Sequence, residues 1–216
     1  MFLSQHKASL VAAGVFVALG LAGTVPAQAQ VTLTPGNNPQ PDEQNVLLNK
    51  GETGTTIFGL TNQTQTLVQF TSTTDTLTAP ANGQARVEAV DTILNNVTVS
   101  VPDGTFGDLI FNAFIGGQPK IDDGLLSIVA ATSAGSQTFT QAIGNGQNFF
   151  TVVANTGVRI NSITLSSTTG FNDLRQVRIS GVQGGQVIPE PGTLALAGTG
   201  LLPLAGAVLR KRRRSA

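Results

Sequence analysis

The sequence has 216 residues, of which 40% are hydrophobic and only 11% charged, with a formal net charge of zero. It holds no Cys, no Trp and no Tyr, and its single His is His6. Those absences exclude a disulfide framework, a thiolate nucleophile, Cys- or His-ligated metals and a Ser–His–Asp arrangement in the body of the chain. The zero is a sum of segregated charges. Five of the twelve Lys and Arg stand in one terminal run, while residues 31–187 carry six basic residues against eleven acidic ones, a net of −5. That segment lacks the basic face that nucleic acid requires.

At the N-terminus Lys7 precedes an uncharged apolar stretch from Ala8 to Gly23, followed by the small-x-small triplet Ala27-Gln28-Ala29. This pattern reads as a secretory signal peptide over residues 1–29, recognised by the Sec export machinery and cleaved after the Ala27/Ala29 site. Residues 30–44, with Pro35, Pro39 and Pro41 among polar filler, read as an extended linker.

From residue 45 to 186 the chain alternates short apolar segments of period two with turn residues, the signature of strands. Val97, Val99 and Val101 alternate with Thr98 and Ser100. Further strands are expected over 67–70, 86–90, 109–114, 126–131, 137–142, 149–154, 158–165 and 174–180. Asn82-Gly83, Asp103-Gly104, Asp123-Gly124, Asn145-Gly146 and Thr156-Gly157 supply turns in which Gly takes positive φ. No helical stripe interrupts them. The expected fold class is all-β, one antiparallel β-sandwich of jelly-roll type, with a barrel as the alternative.

Few residues in this body offer chemistry. The local carboxylate pairs are Asp122-Asp123, Glu88/Asp91 and Asp103/Asp108. Asp before Gly is ordinary turn chemistry, and Glu88 between Val87 and Ala89 reads as a solvent-facing strand residue. Asp122, Asp123, Asn172 and Asp173 are the candidate oxygen ligands for calcium, but no EF-hand or calcium repeat surrounds them, so no metal and no cofactor is assigned. Sugar platforms use exposed Trp or Tyr, which the chain lacks. Phe171, between Gly170 and Asn172, is the Phe whose context suggests exposure, although a core position is favoured for every Phe. Arg159, Arg175 and Arg178 suggest a small basic patch for acidic polysaccharide. A three-residue spacing sends Arg175 and Arg178 to opposite faces of a regular strand, and an ion pair with Asp173 is the simpler reading.

The C-terminus is the most specific feature. Pro189-Glu190-Pro191 precedes 17 apolar residues from Thr193 to Leu209, and Arg210, Lys211, Arg212, Arg213 and Arg214 follow. As a helix the apolar stretch spans about 25 Å, slightly short of a bilayer core, and the basic run acts as a cytoplasmic stop-transfer signal. The tripartite order over residues 187–214 resembles the PEP-CTERM sorting signal. That resemblance implies recognition by an exosortase, a membrane-embedded cysteine protease/transpeptidase of bacteria that make exopolysaccharide, and removal of the tail. It implies an exported protein: an inner-membrane-anchored precursor, then a cell-surface or extracellular product. Stretches such as 108–112, 148–150, 157–160 and 170–179 resemble the adhesin-like ectodomains that accompany such tails, which implies a β-rich surface domain. The expected role is therefore a non-enzymatic structural or adhesive protein, with exopolysaccharide as a partner. The competing readings are a secreted carboxylate-dependent polysaccharide hydrolase and a permanently membrane-anchored binding module.

Overall fold

Period-two burial recurs from strand to strand in the computed structural model, which describes residues 29–188 except Gln118. Among these residues every regular element is a strand. In chain order they are β1 (Val31–Pro35), β2 (Gln44–Leu48), β3 (Thr53–Gly54), β4 (Thr56–Thr61), β5 (Leu67–Thr71), β6 (Leu77–Thr78), β7 (Gly83–Gln84), β8 (Arg86–Ala89) and β9 (Leu94–Ser100). There follow β10 (Gly104–Thr105), β11 (Asp108–Phe114), β12 (Gly124–Thr132), β13 (Gly135–Ile143), β14 (Phe149–Ala154), β15 (Ile160–Phe171), β16 (Asp173–Ser180) and β17 (Gln183–Gly184). The signal peptide through residue 28, the sorting motif, the apolar stretch and the basic run lie outside the described residues.

All ladders are antiparallel, in the order β1-β14-β11-β16-β2-β4-β5-β9-β15-β12-β13. β8 and β6 extend from β16, β3 pairs with β6, β7 pairs with β2, and β10 and β17 form a separate ribbon. β2 joins two half-sheets: Gln44 and Asn45 pair with β16, whereas Val46, Leu47 and Leu48 pair with β4. The halves share one core. Leu109, Phe111, Val152 and Ile179 enter it from one half, and Val68, Phe70, Val97, Ile128, Ile163 and Leu165 from the other. Their partners one residue along, such as Gln69, Thr98 and Ser127, turn outward, as the pleat requires.

Several expectations are corrected. Val31–Pro35, read as linker, is a strand whose pairing with β14 runs from Val31↔Ala154 to Pro35↔Phe150. Val31 and Leu33 give it an apolar face, and Pro35 is tolerated because β1 is an edge. β4 went unread because Gly59 breaks its pattern. A Cβ there would come within 2.7 Å of Val46 Cγ1 and 2.8 Å of the Leu47 carbonyl oxygen, so Gly permits the close approach of β2 and β4. Phe171 is fully buried, opposite Leu94 on β9, in keeping with the core position favoured for every Phe, and the exception is Phe58, which is exposed. Gly83, Gly146 and Gly157 take positive φ as expected. In the Asp103-Gly104 turn it is Asp103 that does so, and Gly124 begins β12.

Asp75 ties the loop after β5 to β9. Its buried carboxylate accepts hydrogen bonds from Thr74 Oγ1 (2.8 Å), Asn95 N (3.0 Å), Asn95 Nδ2 (3.0 Å) and Asn96 N (2.9 Å). Burial pushes its pKa upward, but the donors from Asn95, Asn96 and Thr74 outweigh that and hold it below the ordinary value. Asp75→Ala leaves these donors without their acceptor and is expected to cost about 2–4 kcal/mol in urea unfolding. In the wild type this contribution is lost as pH falls below the ordinary carboxylate range, because the folded pKa is the lower one.

Candidate functional site

The described chain ends where the sorting motif begins, and that junction is fixed to the sheet. Leu67 N donates to the Gln186 carbonyl (2.8 Å), Ile188 N donates to the Gln65 carbonyl (3.1 Å), and Thr66 and Val187 form an antiparallel bridge. Pro189 therefore follows directly on a backbone anchor at the start of β5. Beside it, Leu47, Phe58, Leu60, Leu67 and Ile188 line a cavity of about 350 Å³ with Glu52 at its wall. Leu47, Phe58, Val187 and Ile188 are all exposed. No sequence pattern pointed to this apolar surface, since Leu47 and Phe58 sit on strands whose alternation is interrupted by neighbours.

The basic candidates do not form one free patch. β16 carries an extra residue opposite β11: Arg178 pairs with Ile110 and Arg175 with Asn112, while Gln176 takes φ 56°. This bulge restores Arg175 and Arg178 to the same outer face, correcting the expectation drawn from a regular strand. Asp173, with its side chain 1% exposed, receives both Arg175, through two hydrogen bonds, and Arg86 Nε at 3.3 Å. Arg86 also pairs with Glu88 at 2.5 Å. The Arg175 guanidinium lies 3.6 Å from the Phe114 ring centroid, a cation–π contact. Arg178 pairs with Glu43 (3.1 Å) and with Asn37, and Arg159 donates to Thr105 and to the Gly181 carbonyl. The ion pair between Arg175 and Asp173 is thus as expected, and each of the three arginines is engaged within the domain.

The calcium candidates fall in three separate surroundings. Asp122 and Asp123 line a cavity of about 720 Å³ together with Lys120 and Asn145, and Asp123 Oδ1 accepts the Asn145 backbone N–H (3.1 Å). Asn172 lies beneath the same loop, accepting Gly116 N (2.8 Å) and donating to the Pro119 carbonyl (3.3 Å), whereas Asp173 is held by its arginines. Among the described residues no three acidic or His side chains converge on one point.

One acidic pair escaped the sequence because its members are far apart in the chain. Asp108, on β11, is buried, accepts the Ser180 hydroxyl through Oδ2, and leaves Oδ1 without a donor; Glu43 Oε1 is likewise buried without one. Burial pushes the Asp108 carboxyl up to about 6, helped by the negative charge of Glu43 and opposed by Ser180 and Arg159. Neither residue lines either cavity described above.

The other half-sheet is chemically uniform. β2, β4, β5, β9, β15, β12 and β13 contain no charged residue. Their outward positions are rich in hydroxyls and amides: Gln69 Nε2 donates to Thr71 Oγ1 (2.8 Å), and Thr98 and Thr164 share a hydrogen bond of 2.8 Å across β9 and β15. The result is a neutral face built of small polar side chains.

Comparison with known proteins bears most directly on the tail. Residues 187–214 match the PEP-CTERM protein-sorting motif, so the chain carries that signal, which implies exosortase-mediated sorting of a membrane-anchored precursor exported toward the cell surface. No curated protein matches the chain. Among solved structures, a mutant of a family 29 carbohydrate-binding module, studied for its mechanism of ligand recognition, is similar at 10% identity with a TM-score of 0.21, over 74% of this chain and 98% of that one. A second family 29 carbohydrate-binding module is similar at 11% identity with a TM-score of 0.20, over 77% and 99%. Likeness of that size carries no argument about fold or ligand.

The buried Asp108 makes stability pH-dependent in a defined direction. Between about pH 4 and about pH 6 the folded chain retains a proton that an unfolded Asp, with an ordinary pKa near 3.9, has released. Stability therefore falls as pH rises through that window. Asp108→Asn is expected to abolish this component of the slope, as read from melting temperature against pH.

Proposed function

We propose that this chain is an exported, non-enzymatic surface or extracellular-matrix protein, sorted and cut by an exosortase at Pro189-Glu190-Pro191, and structural or adhesive within exopolysaccharide. The observation that carries this reading is the sorting motif over residues 187–214. Its setting agrees: in sequence the motif follows immediately on Gln186 and Ile188, which are anchored by backbone hydrogen bonds at the start of β5. In this reading the ectodomain is a sandwich of jelly-roll type. The signal peptide is removed after Ala29, the stretch from Thr193 to Leu209 crosses the inner membrane, and the run from Arg210 to Arg214 remains cytoplasmic.

The neutral outer face on β5, β9, β15 and β12 supports a matrix role, since hydroxyl and amide groups exchange hydrogen bonds with uncharged polysaccharide without desolvating ions. The dispersal of acidic residues into ion pairs and turns supports a role without catalysis. A carboxylate hydrolase needs two acids facing each other across a cleft that admits a sugar ring. Asp108 is buried, Glu43 pairs with Arg178, and neither lines a cavity described above.

Mass spectrometry of the protein recovered from its native host decides the point. The expected product starts near Gln30 and ends at or close to the motif, and Pro189→Ala/Pro191→Ala is expected to accumulate an uncut form in the membrane fraction. A wild-type C-terminus still at Ala216 would overturn the sorting role.

A further inference from the structure

The strand path has two ends, β1 and β13, and they differ in kind. β1 is five residues long, closes on Pro35, and is held at its start by Gln137 Oε1, which accepts Gln30 N (2.9 Å) and Val31 N (3.1 Å). β13 is nine residues long and pairs with β12 without a bulge from Gly124↔Ile143 to Thr132↔Gly135. It contains no Lys, Arg, Asp, Glu or Pro, the devices by which edge strands usually repel other strands.

The hairpin geometry defines what this edge offers. Thr132 and Gly135 flank the two-residue Ser133-Ala134 turn and form its hydrogen-bonded closing pair. Hydrogen-bonded pairs then alternate along the ladder, so Gln137, Phe139 and Gln141 bond to β12. The N–H and C=O groups of Ser136, Thr138, Thr140 and Ala142 point away from it.

We propose that β13 pairs antiparallel with β13 of a second copy of this chain, about a two-fold axis at Phe139. In this register Thr138 lies opposite Thr140 of the second copy and exchanges both backbone hydrogen bonds with it. Gln137 lies opposite Gln141, and the two Phe139 residues meet at the axis as a non-hydrogen-bonded pair. Each facing pair is matched in chemistry, hydroxyl to hydroxyl, amide to amide and ring to ring, and lies on the same face of the extended sheet. Phe139 is only partly buried within one copy, so its ring retains apolar surface for the second to cover. The charge distribution permits the contact: the segment as a whole is at −5, but its ionic strands, β8, β11 and β16, all belong to the other half-sheet. Two copies meeting at β13 bring no like charges on their strands into register.

The absence of Cys makes the test direct. In the full chain, purified in detergent, Thr138→Cys/Thr140→Cys under mild oxidation is expected to give a reducible covalent dimer, since facing pairs lie within disulfide reach. Thr98→Cys/Ser100→Cys, at the centre of the same face, is expected to stay uncoupled. Thr140→Lys, with an unchanged circular dichroism spectrum, is expected to weaken wild-type dimerisation in sedimentation by about tenfold. Should that variant misfold, the cysteine pair alone decides. A wild-type chain that sediments as a monomer overturns the proposal, as does equal cross-linking of the two cysteine pairs or undiminished dimerisation of a folded Thr140→Lys chain.

Discussion

The body of this protein is held by one shared interior, and its other properties follow from how that interior is closed. With no Cys, Trp or Tyr, stability rests on Val, Ile, Leu and Phe packed between two half-sheets. Among the described strands only β2 belongs to both. Its first two residues extend one ladder and its last three the other, so the chain passes from half to half without leaving the pleat. Gly59 is the counterpart of that passage, since the approach of β4 to β2 leaves no room for a side chain. The core is closed at one edge by a shared strand instead of a covalent link.

Around that interior the polar groups are partitioned. One half-sheet carries the ionic residues and neutralises them locally: Asp173 between Arg86 and Arg175, and Glu43 against Arg178. The other carries none on its strands. Such partition is a different solution from an evenly charged surface. Its neutral half hydrates through hydroxyls and amides and imposes no electrostatic preference on what lies against it. On the proposed matrix role that neutrality is permissive, and it leaves β13, an end of the strand path among the described residues, without an electrostatic guard.

Much of the all-β architecture was legible in the sequence, because β5, β12, the latter part of β9 and the body of β15 bury every second residue and local alternation follows directly from the pleat. What escaped lies where a strand's pattern is set by a distant partner. β1 hides among prolines because only its pairing with β14 makes a strand of it. β4 is masked by Gly59, whose reason is contact with β2. The bulge at Gln176 reversed the faces expected for Arg175 and Arg178, and no local residue announces it: its φ of 56° belongs to a Gln, not a Gly. Phe171 shows the converse: its polar and glycine neighbours describe a turn, yet its ring belongs to the core, the position favoured for every Phe. The sorting motif was fully readable as a string. The apolar surface beside its junction was not, because Leu47, Phe58 and Ile188 come from three separate segments.

The anchoring of Ile188 at Gln65 has a mechanical consequence. In a precursor whose membrane segment begins at Thr193, only residues 189–192 separate that segment from a fixed point on the domain. Four residues, fully extended, reach about 14 Å. On the proposed topology the ectodomain lies within that reach of the bilayer, and the rim around β5, where Ile188 is held, is the part nearest to it. A protease acting on Pro189-Glu190-Pro191 must work in that gap. On the proposed function, a cut there would part the domain from its membrane segment and leave the apolar rim at Leu47 and Phe58 facing outward.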